Sequence, residues 1–143
     1  MKKQWWLGMA MAGVLATSLS ACAEKSAEKK MELTVVVFNY WPRPIADVTV
    51  DGQWAGGSFG SYGLGGTGGS LVCCAVVKPG PVKVAWVLDG NGPRLGEAIS
   101  VMATLSSIPR NAKYLSVHIY PDSHVELIAG NHMTDERPPK ESK

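Results

Sequence analysis

From Leu33 onward the apolar residues of this chain come in short runs, and turn formers close nearly every one. Leu33-Thr34-Val35-Val36-Val37-Phe38 is rich in β-branched residues and stops at Asn39-Tyr40-Trp41-Pro42. Ile45 to Val50 spaces Ile45, Val48 and Val50 loosely, then meets Asp51-Gly52, a strong hairpin turn signal. Leu71 to Val77 is a continuous apolar run, which reads as a strand buried on both faces, and Lys78-Pro79-Gly80-Pro81 ends it. Val82, Val84, Trp86 and Leu88 alternate with Lys83, Ala85 and Val87. Ala98 to Leu105 tolerates a helix through Met102, Ala103 and Leu105, but Ile99, Val101 and Thr104 favour a strand. In the last pair Leu115, Val117 and Ile119 point one way and Ser116, His118 and Tyr120 the other. Pro121-Asp122-Ser123 turns the chain, and Val125, Leu127 and Ala129 return. About seven short strands at this spacing predict an all-β domain, an antiparallel β-sandwich or small barrel.

The N-terminus follows different rules. Lys2 and Lys3 precede an uncharged run from Trp5 to Leu19, which ends in Leu19-Ser20-Ala21-Cys22. A basic segment, an apolar segment and small residues before a cut mark a secretory signal peptide. The run is shorter than the ~20 residues that a spanning helix needs. Leu-Ser-Ala-Cys resembles the bacterial lipobox, in which the cysteine is diacylated and becomes the mature N-terminus. That makes Cys22 the lipid-attachment residue and the covalent lipid the only added group expected. Removing residues 1 to 21 from the 143 leaves 122, enough for one domain. Two of the fourteen basic residues leave with the signal, so the mature chain carries twelve against twelve acids. Neither its balance nor any basic stripe suggests nucleic acid as a partner. Ala23 follows the cysteine where an aspartate would retain an inner-membrane lipoprotein, so the expected address is the periplasmic leaflet of the outer membrane.

The expected organisation is a signal peptide over residues 1–21, a lipidated Cys22 and solvated tether over 22–31, a β domain over 32–133 and a disordered tail over 134–143. Asp135 to Lys143 carries two prolines and six charges. From Gly56 to Gly69 eight of fourteen residues are glycine, interleaved with Phe59, Tyr62 and Leu64 and preceded by Trp54. Such a stretch is costly to order. It reads as a mobile loop or as a flat edge that another backbone approaches closely.

With Cys22 lipidated, Cys73 and Cys74 are the remaining cysteines, and they are adjacent. An oxidising compartment permits a vicinal bridge. Across a trans peptide, however, neighbouring Cα atoms lie about 3.8 Å apart, whereas disulfides prefer about 4.4–6.8 Å. Two packed thiols are therefore the default, with the bridge as the alternative. No metal site is expected, because the pair lacks a second pair of ligands at metal spacing. His118, His124 and His132 are not at ligand spacing either, and His118 and His124 read as a surface pair. Gly56-Gly57-Ser58-Phe59-Gly60 spells a nucleophile elbow, but no helix pattern follows it. Gly63 to Gly68 spells a dinucleotide fingerprint without a βαβ unit around it. No catalytic residue and no enzyme is expected.

Asn39-Tyr40, Arg43-Pro44-Ile45, Val50-Asp51-Gly52, the glycines to Gly69, Ser70, Cys73-Cys74, Pro79-Gly80 and the Val82, Val84, Trp86 alternation together resemble a family of small bacterial lipoproteins. That family is defined by a domain of unknown function that couples a glycine-rich stretch to adjacent cysteines. The likeness spans roughly residues 32 to 128, and Gly-Gly-Ser-x-x-Cys-Cys is its sharpest element. The chain departs from the family after the cysteines, where a longer link bearing Leu-Pro and Trp is shortened to Val76-Val77-Lys78. Members are often encoded beside type VI secretion phospholipase effectors and look like immunity lipoproteins. The resemblance thus implies a non-catalytic inhibitor anchored at the membrane, with a secreted lipase as its protein partner. Aromatic anchors dominate such interfaces, which makes Tyr40, Trp41, Trp54, Phe59 and Tyr62 the candidate contact residues. A structural or envelope-assembly lipoprotein that binds a secretion-machine or cell-wall component is the alternative.

Overall fold

The computed structural model describes residues 29–61 and 70–139, and among them there is no helix. Among the described residues nine strands form in chain order: β1 Met31–Asn39, β2 Ile45–Val50, β3 Gln53–Trp54, β4 Ser58–Phe59, β5 Ser70–Val77, β6 Gly80–Leu88, β7 Ala98–Leu105, β8 Tyr114–Ile119 and β9 Val125–Gly130. They build two sheets. The first runs β5-β1-β8-β9, and the second runs β3-β2-β6-β7 with β4 also paired to β2. Every expected strand is present, with Ala98–Leu105 extended. The two additional ones, β3 and β4, are only two residues each. All pairings are antiparallel except β1 with β8, which run parallel from Thr34 beside Tyr114 to Asn39 beside Ile119.

Between the sheets lies the core, built from alternate positions of the long strands. Leu33, Val35 and Val37 of β1 and Leu115, Val117 and Ile119 of β8 face Ile45, Val48 and Val50 of β2 and Val82, Val84, Trp86 and Leu88 of β6. Nearly all of these side chains are fully buried. The period-two pattern read from the sequence is thus the pattern that removes their apolar area from water.

Asp51 and Gly52 both have positive φ, 48° and 75°. That is what a two-residue type I′ hairpin demands, and it pairs Val50 with Gln53 and Thr49 with Trp54. The stretch from Gly56 to Ser61 is not a loose loop. Val48 N donates to Gly56 O at 3.0 Å, Ala55 N to Val48 O at 2.7 Å, and β4 returns against Ala46 and Ile45. Gly56 is buried with φ 121°, and a Cβ there would overlap the Phe59 ring. Gly63 to Gly68 lies outside the described residues.

Two expectations need correction. The Leu71–Val77 run is not covered on both faces, because β5 is an edge strand with Cys73 and Val76 exposed. A continuous apolar run does not distinguish a central strand from an edge whose outer residues remain in solvent. The tail expected to be disordered from residue 134 is held against the first sheet, as described next, and β1 begins one residue before the expected boundary.

Candidate functional site

The outer face of the first sheet is aromatic. Val36, Phe38 and Tyr40 from β1 and its extension lie beside Tyr114, Ser116, His118 and Tyr120 from β8 and its extension, because alternate residues of adjacent strands share a face. Phe38 and His118 are direct neighbours across the parallel pairing and stack at 4.4 Å between ring centroids. Tyr40 stacks on Tyr120 at 4.9 Å, and Tyr120 on His124 at 4.3 Å. Offset stacking of this kind adds to the area such rings bury.

Residues 131–139 run back along this face as a strap. Thr134 N donates to Ser116 Oγ at 3.2 Å, and Thr134 Oγ1 lies 2.8 Å from His118 Nε2. Three residues on, Arg137 N donates to the Tyr40 hydroxyl at 2.6 Å, while the Tyr120 hydroxyl donates to Arg137 O at 2.9 Å. The Arg137 guanidinium reaches Glu126 at 2.7 Å. Beyond it a cleft of about 680 Å³ is lined by Tyr120, Pro121, Asp122, His124 and residues 137–139.

His118 is therefore not half of a surface pair. It does face away from the inter-sheet core, as the alternation predicts, but it is 0% exposed beneath the strap. Its Nδ1 lies 2.9 Å from the Tyr40 hydroxyl, so both ring nitrogens are engaged. Burial drives its pKa down to about 4; Glu126 opposes that shift and Arg137 adds to it. Burial, with Glu126 beside it, likewise pushes the Tyr120 phenol up to about 12. Ser116, His118 and Glu126 supply the residue types of a hydrolytic triad on one face. No relay joins them: His118 is bonded to Tyr40 and Thr134, and the Ser116 hydroxyl accepts from backbone. Ser58 sits in β4 opposite Ala46 of β2, with Phe59 continuing the strand, so it is not at the strand-to-helix turn on which a nucleophile elbow holds its serine.

The aromatic candidates separate sharply. Tyr40 and Phe59 are buried, at 6% and 4% exposure: Phe59 packs in the inter-sheet core, and Tyr40 lies under the strap with its hydroxyl bonded to His118 and to the Arg137 N–H. Trp41 is half-buried, edge-on to Trp86 at 6.4 Å. Asn39 holds that corner: its amide donates to Arg43 O and Phe59 O and accepts from Trp41 N. Trp54, at 59% exposure, is the one described candidate that projects into solvent. Tyr62 and Cys22 lie outside the described residues.

Next to Trp54, the Gln53 amide pairs with both backbone groups of Val76, donating to its carbonyl at 2.9 Å and accepting from its N–H at 2.8 Å. A side chain thus takes the place of a neighbouring strand and links the edges of the two sheets. One step along β5, Cys73 and Cys74 oppose the single residue Thr34, since Leu33 pairs with Ala75 and Val35 with Val72. This is a β-bulge. The two cysteines are joined as a disulfide across a cis peptide with Cα atoms 3.1 Å apart. The strand expected to bury the pair is instead an edge that leaves Cys73 exposed and Cys74 half-buried, with the sulfurs in the bridged arrangement given above as the alternative. The Glu32 carboxylate lies with the two sulfurs inside 4.8 Å, but sulfurs bonded to each other offer no thiolates to a metal.

The face carrying His118 and the strap was missed because alternation tells which way a residue points, not what later covers it. Comparison with protein-family models, with curated proteins and with solved structures finds no match to this chain.

Proposed function

We propose that this protein is a lipid-anchored, non-catalytic binding protein of the bacterial periplasm that blocks a type VI secretion phospholipase effector. The observation that carries the reading is Trp54, held on a two-residue strand at a sheet edge with more than half of its surface in solvent. A tight type I′ hairpin and the Gln53–Val76 pairing make that position rigid. A rigid exposed tryptophan is costly to leave in water and effective as an interface anchor. Trp54 and the hairpin that holds it form an exposed rim on the outer face of the second sheet. Inhibition is then steric, with the rim covering the mouth of the lipase cleft. An anchor at Cys22 holds the inhibitor where the enzyme meets its lipid, and confinement to that layer raises the effective concentration of both proteins.

The test is protection. Cells that deliver the cognate type VI phospholipase effector to their own periplasm survive when they make this protein and lyse when they do not. Trp54→Ala weakens binding by about 2 kcal/mol, roughly thirtyfold, without altering the melting temperature. Survival of cells lacking the protein would end the immunity reading. Co-purification with a secretion-machine or cell-wall component instead would favour the envelope-assembly reading.

A further inference from the structure

We infer that the outer face of the first sheet is a peptide-binding groove, filled in the free protein by the chain's own C-terminal strap and opened to another protein by displacing it. The proposal stands apart from the lipase reading, since it concerns the opposite side of the β1–β8 sheet from the core and does not involve Trp54.

Two sides of the contact are built differently. The receiving side is fixed on sheet: Tyr40, His118 and Tyr120 are 6%, 0% and 8% exposed and stacked on one another or on Phe38. The occupying side is not embedded. Residues 135–139 are all exposed, Thr134 is half-buried, and no apolar side chain of residues 134–139 enters either core cluster. Polar contacts therefore hold the strap, and the ion pair among them is an exposed one, of small worth. A segment held in this way is released by local opening without loss of the sandwich.

The contacts also specify what fits. The Tyr40 and Tyr120 hydroxyls together read the N–H and the C=O of a single residue, which recognises extended backbone as such. Glu126 offers an exposed partner to a guanidinium at that residue. Three positions earlier, His118 Nε2 and Ser116 Oγ read a hydroxyl and the N–H of the residue that bears it. Pro138 and Pro139 then follow, and they keep the chain extended without adding an unpaired N–H at the cleft mouth. The partner is accordingly a protein with an extended Ser/Thr-x-x-Arg-Pro segment. It must compete with a strap that is always present in cis, so affinity appears once the strap is weakened.

The probe is a fluorescent synthetic peptide of residues 131–139, titrated against the full chain by anisotropy. Full-length Thr134→Ala/Arg137→Pro, which loses the strap's hydroxyl and the Arg137 N–H, binds the peptide about tenfold or more tightly than the parent. Adding Tyr120→Phe reverses most of that gain. Should the double variant melt early, Thr134→Ala alone, which touches no core side chain, gives the same ordering with a smaller gain. Equal binding by parent and loosened variants, or binding that is indifferent to Tyr120→Phe, overturns the groove. A parent protein that dimerises with concentration and is dissociated by the peptide makes a second copy the occupant and overturns the partner assignment.

Discussion

His118 is a titratable ring sealed at 0% exposure, stacked on Phe38 and hydrogen-bonded through both nitrogens. A neutral imidazole offers one donor and one acceptor, and hydroxyls at Tyr40 and Thr134 satisfy both. Protonation instead places a charge in apolar surroundings, which is why its pKa falls to about 4. The sign follows directly. Between about pH 6.5 and pH 4 the unfolded chain binds a proton at this residue that the folded chain refuses. Stability therefore drops on acidification through that window, by up to about 1.4 kcal/mol per pH unit, and is unaffected above it. His118→Gln keeps hydrogen-bonding capacity and removes the titration. At pH 7 the parent melts higher than the variant, and at pH 4.5 the gap narrows. Asp122 also weakens the fold in acid, since its backbone bond to His124 holds its carboxyl low, but it does so equally in both proteins. A gap that is the same at both pH values would refute the assignment.

At the scale of elements, local chemistry decided what was legible. Asp51-Gly52 announces its hairpin because few dipeptides accept positive φ twice, and alternation over Val82–Leu88 and Leu115–Ile119 assigns each residue to its face. The parallel pairing of β1 with β8 was not legible, because residues some eighty positions apart carry no shared local signal. Nor was the strap, whose composition reads as disorder and whose order comes from contacts with Ser116, Tyr40 and Tyr120. In the glycine-rich stretch the position of each glycine decides its role, and composition does not show it. Gly52 and Gly56 make the point testable. At Gly52, φ is 75° and a Cβ meets nothing, so Gly52→Ala costs the backbone preference alone, about 1 kcal/mol. At Gly56, φ is 121° and a Cβ overlaps the Phe59 ring and lies 3.1 Å from Val72 Cγ2. Gly56→Ala pays the conformational cost and also displaces a buried ring, for a loss of about 3 kcal/mol. Thermal melts of the two variants should differ by several degrees in that order, and equal melting would mean that β4 does not pack as described.

For the whole molecule, the polarity of β1 sets the geometry of any anchored function. The strand starts at Met31, beside Val77 and the Lys29-Pro79-Arg110 corner, and ends at Asn39 beside Ile119. The 680 Å³ cleft at Tyr120 and Pro121 therefore opens at the end remote from the tether. Eight residues, 23 to 30, separate Cys22 from β1 and span at most roughly 28 Å when extended. With the proposed lipid at Cys22, the start of β1 stays within that reach of the bilayer, and the cleft lies at the opposite end of the strand. Several acyl chains at one residue give a stable anchor, whereas the fold itself is complete without them. Cys22→Ser therefore leaves the melting temperature and the affinity for a purified lipase unchanged while moving the protein from the membrane fraction to the soluble one. Protection against periplasmic lipase falls at equal protein level, because inhibitor and enzyme no longer share one surface. Fractionation, melting and survival are read on the same strain. A serine variant that still sediments with membranes refutes the anchor, and one that is soluble yet fully protective shows that blocking the lipase does not require confinement to its surface.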